Sequence, residues 1–183
     1  MSAGAAATRR VWDPLVRVGH WLLVASVALA WITHEGGGAW HERLGYAALA
    51  LIALRLAWGI GGPRRARFAD FVRAPRTTLA YARRIASGSE PRYLGHNPLG
   101  GWMVVALLTA VAAVCASGWL YTTDAYWGVE WVEDLHEALS DALLVLIALH
   151  VGGVVFTSIR HRENLAAAMF HGRKRPPAPG DVD

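Results

Sequence analysis

The sequence predicts an all-α integral membrane protein, a four-helix, up-and-down bundle with both termini cytoplasmic. Three observations predict it. Four apolar runs have membrane-crossing length, at about residues 15–33, 41–60, 99–121 and 135–159. The composition is 54% hydrophobic with nine tryptophans, too apolar for an ordinary soluble domain and suited to interfacial aromatic belts. Lysine and arginine fall almost wholly in the N-terminal tail, the second loop and the C-terminal tail. Only these residues count in the positive-inside rule, and they place those three segments in the cytoplasm.

The chain reads as one domain, residues 1–183. Met1–Arg10 is a short basic, small-residue tail with no evident cleavable signal. Span one follows Trp12-Asp13-Pro14, in which Asp13 is the expected N-cap and Pro14 the first-turn proline. A loop from His34 to Trp40 holds three consecutive glycines. Span two starts at His41 and stops at Gly61-Gly62-Pro63. Residues 64–97 are rich in arginine, and FADFVRAPRTTLAYARRI mixes apolar and basic positions, as short helices on the membrane surface do. Span three leads into a loop running to Asp134 that holds Tyr126, Trp127 and Trp131, the expected interfacial anchors. Span four is LHEALSDALLVLIALHVGGVVFTSI, closed by Arg160. The tail, 160–183, is basic and then proline-rich, and its end is expected to fray.

Span four carries the chemistry. His136 and His150 are fourteen residues apart. At ~100° and ~1.5 Å per residue they lie within ~40° of one face and ~21 Å apart along the axis. An intramembrane histidine is a functional-site hypothesis by default. Depth pairs His20 of span one with His150 on the cytoplasmic side, and His41 of span two with His136 on the outer side. Each pair offers both axial ligands of a low-spin haem b, with no coordination position left open, which suits electron transfer. Two such centres in series, two haems per chain, form a wire across the bilayer. The plainer reading of one such histidine is a core side chain hydrogen-bonded to a neighbouring helix. Four at matched depths argue against it, because unpaired polar groups in lipid are costly. On span two, His41, Gly45, Ala48, Ile52 and Arg55 share a face, and Gly45 and Ala48 are expected to leave room for a flat macrocycle.

Three arginines are candidate partners for haem propionates: Arg55 inside span two, Arg17 one turn before His20, and Arg43 in the outer loop. Snorkelling to the surface is the alternative for Arg55. His96, in YLGHNPLGG at the membrane surface, either caps the following span or handles quinone or protons. His34, His161 and His171 are weaker candidates. Gly118 and Gly152-Gly153 are expected to serve close helix packing. Cys115, the only cysteine, excludes an internal disulfide and reads as buried filler; without a C-x-x-C-H motif there is no c-type haem attachment. No catalytic residue is singled out. The basic runs are topology signals touching anionic membrane lipid, and no nucleic-acid motif is present.

The segments WDPLVRVGHW, WHERLGYAALALIALRLAWG, ARFADFV, YLGHNPLGG and ENLAAAMFHGRK resemble the prokaryotic cytochrome b561 family, related to the cytochrome b subunits of nickel–iron hydrogenases. The resemblance spans nearly the whole chain. It implies a multi-pass protein of the bacterial inner membrane, a four-helix bundle that holds haem b and exchanges electrons with quinones such as ubiquinone. On the family pattern, the histidines of WDPLVRVGHW, WHERLGY, LHEAL and IALH (His20, His41, His136 and His150) are the haem-iron ligands, in agreement with the depth argument. Members of the family differ in partner. Some oxidise superoxide with quinone as acceptor, some serve a hydrogenase, and some pass electrons to a c-type cytochrome. The expected function is therefore electron transfer between the quinone pool and a second redox partner. Superoxide oxidation and a haem-bearing anchor subunit are the alternatives, and a homodimer is compatible with either. A histidine-rich metal transporter would want carboxylates or thiols beside its histidines, and spans one to three have no interior acid.

Overall fold

A computed structural model describes residues 8–36 and 38–183. The first seven residues of the basic tail and Gly37 of the glycine loop lie outside the described residues. Four long helices carry the fold: α1 (Pro14–Ile32), α2 (Gly38–Gly61), α5 (Pro98–Tyr121) and α6 (Glu130–Arg160). By length and composition all four are able to cross a membrane. Between α2 and α5 run a 3₁₀ turn (Arg64–Ala66), α3 (Phe68–Phe71) and α4 (Pro75–Ala86), the short helices expected of residues 64–97. A short α7 (Leu165–His171) follows α6, and β1 (Arg9–Arg10) pairs antiparallel with β2 (Arg173–Lys174).

Local chemistry sets the helix ends. Asp13 Oδ1 accepts from the backbone N–H groups of Leu15 (2.9 Å) and Val16 (3.2 Å), capping α1 ahead of Pro14. The same oxygen accepts from Trp58 Nε1 at 3.1 Å. The α5 cap is Asn97, whose side chain accepts from Gly100 N–H at 2.7 Å; the capping role considered for His96 belongs to its neighbour. α6 begins at Glu130, five residues before the expected span. Trp131 and the acids up to Asp134 are therefore helical rather than in the loop. Glu130 and Glu133 occupy its first turn, where carboxylates favour the helix dipole. α2 likewise starts at Gly38, which puts His41 inside the helix.

The chain folds as two compact units. The bundle unit comprises Val18–Ala57 and Val104–Leu149. Its core is Ala48, Ile52, Val111 and Leu143, with Leu23, Val27, Leu107 and Ile147 packed against them, so all four long helices contribute. Ala48 belongs to this core and is only 3% exposed, so it does not leave the room expected beside Gly45. Cys115 packs against the same core, as filler does. Large apolar side chains such as Leu22, Leu29, Leu54, Val145 and Leu149 point outward. In water such a surface is a liability, whereas hydrocarbon solvates it.

The tail unit comprises the chain up to Arg17, Trp58–Met103 and His150–Asp183. The C-terminal segment does not fray. Arg92, its side chain 4% exposed, donates to Glu163 (Nη2 to Oε1, 2.6 Å) and to Asp181. Lys174 Nζ lies 3.7 Å from the other Glu163 oxygen. Val182 N–H donates to Arg92 O at 2.8 Å, and Leu94 N–H to Val182 O at 2.9 Å. Asp183 pairs with Arg65 and, at 3.2 Å, with Arg9. These partners fix a segment whose prolines and charges alone read as loose. Gly152 and Gly153 do not serve close packing, since an added Cβ at either meets nothing within 4 Å among the described residues.

Candidate functional site

His41 and His136 meet in the bundle unit. Their ring centroids are 6.1 Å apart, with ring planes at 80°. His41 lies in the first turns of α2 and its Nδ1 is 2.9 Å from Ala30 O on α1. His136 lies in the second turn of α6 and its Nδ1 is 3.0 Å from Val114 O on α5. A carbonyl accepts, so in each ring Nδ1 carries the proton and Nε2 keeps its lone pair. This is the tautomer of an imidazole that binds metal through Nε2 with its other nitrogen fixed by a backbone oxygen. Ser117 Oγ also lies 3.0 Å from His136 Nδ1 and donates to Val114 O at 2.9 Å, completing a consistent network.

Gly118 makes the His136 position available. A Cβ there would sit 3.0 Å from His136 Cε1 and 3.3 Å from Nδ1, tighter than side chains normally pack. The close approach expected of Gly118 is thus between α5 and an imidazole. On α2, one turn beyond His41, a Cβ at Gly45 meets nothing within 4 Å among the described residues.

These residues fit a metal group held between two imidazoles. Two metal–imidazole nitrogen bonds of about 2 Å each, the length known for zinc, plus the two ring half-widths come to roughly 6 Å. The observed centroid spacing of 6.1 Å matches that sum. Among the described residues no three His, Cys, Asp or Glu side chains gather as a metal cage.

The other expected residues fall as follows. His20 is half-buried in the bundle unit, with Trp21 edge-on at 5.0 Å. His150 is half-buried on α6 and belongs to the tail unit. Arg55 is half-buried on α2. Arg43 is exposed, its guanidinium 5.2 Å from the Trp40 ring centroid, a cation–π contact. Arg17 is half-buried at the start of α1. His96 sits against Trp12 (4.7 Å, edge-on) and Phe71 (4.4 Å, tilted). His34 stacks on Trp31 and bonds its carbonyl at 2.6 Å. Ser117 and the carbonyls of Ala30 and Val114 escaped the sequence reading. A serine in an apolar span was the one signal available for them.

No match was found among curated proteins or among solved structures. The family model described as prokaryotic cytochrome b561 matches residues 11–172, a stretch that includes all four histidines expected as ligands. The chain therefore belongs to the prokaryotic cytochrome b561 family, whose members are bacterial membrane proteins that bind haem b for electron transfer.

Proposed function

We propose that this chain is a diheme b-type membrane cytochrome of the inner membrane that carries electrons between the quinone pool and a second redox partner. The observation that carries the reading is the His41–His136 pair, with each Nδ1 committed to a backbone carbonyl and the rings spaced for an iron between them. His41 and His136 would hold the haem, which would supply a one-electron couple. The Ala30 and Val114 carbonyls aim the imidazoles. The second haem rests on sequence register: His150 lies fourteen residues past His136 on one helix, at the depth of His20.

Arg55 and Arg17 are the propionate partners at the inner level, and Arg43 at the outer. A cation beside a haem favours the extra electron of the reduced state. Arg55→Leu should therefore lower the inner haem's midpoint potential in a redox titration, and an unchanged potential at full occupancy would leave Arg55 a snorkelling residue. His96, held between Trp12 and Phe71, is the quinone-site candidate.

Both termini are cytoplasmic in this reading, because of the arginine distribution. Reporter fusions after Arg84 and after Glu130 should report inside and outside respectively, and an outside signal after Arg84 would overturn the orientation.

The second partner is a cationic protein such as a c-type cytochrome. Glu130, Glu133, Asp134 and Glu137 are all exposed around His136 at the start of α6. That patch draws a basic partner and repels small anions such as superoxide. Stopped-flow mixing of the oxidised protein with quinol, reduced cytochrome c or superoxide tests this. Quinol and cytochrome c should reduce the haems, cytochrome c with strong salt dependence. Near-diffusion-limited reduction by superoxide, insensitive to salt and with quinone as final acceptor, would establish the superoxide oxidase instead.

A further inference from the structure

An open cleft of about 550 Å³ lies in the tail unit, lined by Thr8, Arg10, Arg17, His171 and Arg173. No acid lines it. In the β1–β2 pair, Arg10 stands directly opposite Arg173, and Arg9 opposite Lys174. Like charges directly opposite on a ribbon repel. One pair is compensated, by Asp183 on Arg9 and Glu163 on Lys174. Arg10 and Arg173 have no carboxylate partner among the described residues, and Arg17 Nε is buried there without a hydrogen-bond acceptor.

The remaining groups also donate. His171 Nδ1 accepts from the Arg173 N–H at 3.0 Å, so its other nitrogen carries the proton. Gly172, at φ 79°, is a left-handed position, and a Cβ there would strike the Arg17 guanidinium; only glycine admits the arginine to the cleft.

We propose that this cleft binds a phosphate anion, and specifically the headgroup phosphate of an anionic membrane lipid. The Arg10 and Arg173 guanidiniums, an imidazole N–H and a hydroxyl match phosphate oxygens, which accept several hydrogen bonds at once. Two placements favour a lipid source over a soluble one. Arg10 lies only four residues before Pro14, where α1 begins, so the cleft stands where the chain enters the membrane. Phe170, 63% exposed, directly precedes His171 and offers an apolar face beside the phosphate site. A haem propionate on Arg17 would leave the opposed Arg10 and Arg173 uncompensated, so these two residues carry the test.

The haem-loaded full chain, in neutral detergent, is offered phosphatidylglycerol, phosphatidylcholine or inorganic phosphate, and bound adducts are counted by native mass spectrometry. Phosphatidylglycerol should be retained selectively. Arg10→Gln with Arg173→Gln should weaken its retention about thirtyfold, the effect of losing two interfacial arginines. Haem content should not change, and Arg76→Gln with Arg83→Gln on α4 should retain the lipid as before. Equal retention of the two lipids, or by the Arg10/Arg173 double variant, would overturn the proposal. Displacement of the lipid by an equal concentration of inorganic phosphate would overturn the lipid source. Should the double variant not fold, hydrogen exchange on the unaltered protein decides: phosphatidylglycerol should slow the amides of Val11, Trp12 and Arg173, and no change at these amides would sink the site.

Discussion

His136→Ala and His41→Ala should each reduce the haem content from two per chain to one, read by pyridine haemochrome and the reduced-minus-oxidised spectrum. His20→Ala and His150→Ala should remove the other haem. The prediction extends to a residue that ligates nothing. Gly118→Val should also cost the outer haem, because a Cβ alone would come within 3.0 Å of His136 Cε1 and valine adds two methyl groups behind it. Ser117→Ala should keep the haem, since His136 Nδ1 retains Val114 O at 3.0 Å. Full occupancy in His136→Ala would remove that residue from the site, and one haem per chain in the unaltered protein would remove the second centre.

Arg92→Met should destabilise the tail unit by about 3–5 kcal/mol, the cost of leaving buried charges without their partner. Glu163 and Asp181 would lose their hydrogen bonds to Arg92, and Lys174 alone could not satisfy both. Hydrogen exchange at Leu94 and Val182, whose N–H groups close the segment against Arg92, reads the loss directly.

The same network sets a pH dependence. Burial opposes the Glu163 carboxylate, but the Arg92 hydrogen bond and the Lys174 charge outweigh it and hold its carboxyl below the usual range. Asp181 behaves likewise, burial being outweighed by the Ala178 N–H and by Arg92. Folded values below unfolded ones mean stabilisation that is full above the unfolded carboxylate range, about pH 4, and lost as pH falls through the folded values. Lys174 runs on the alkaline side. Burial pushes its ammonium down to about 8, against the pull of Glu163. The folded state therefore holds this proton less tightly than the unfolded chain, and stability should rise as pH climbs past about 8. Exchange at Leu94 and Val182, corrected for intrinsic rate, should accelerate sharply in acid; an Arg92→Met variant should lack that acid limb. A flat response in the unaltered protein would show that the network is not linked to folding.

The four helices were legible because a membrane span is a long-range compositional signal; three of the apolar runs fall inside a helix, and the first overruns α1 by one residue, Thr33. That His41 and His136 come side by side was legible from depth and register, since a helix converts spacing into position. What was not legible depends on contacts without local pattern. Arg92 finds Glu163 71 residues away and Asp181 89 residues away, so a proline-rich end that looked loose is held. Ala48 looked like space for a cofactor because it is small, yet small residues also fill cores, and here one does. The oxygens that aim the two imidazoles belong to the backbone, which every residue carries, so no letter in the sequence marks them.

Those oxygens also bear on assembly. His41 on α2 is aimed by Ala30 on α1, and His136 on α6 is aimed by α5. Each ligand is thus oriented by the partner helix of its own hairpin, across a short connection. In the proposed site each hairpin therefore brings its own imidazole already oriented. Bringing the two imidazoles side by side is then the work of the apolar core, in which Ala48 and Ile52 of α2 meet Val111 of α5 and Leu143 of α6.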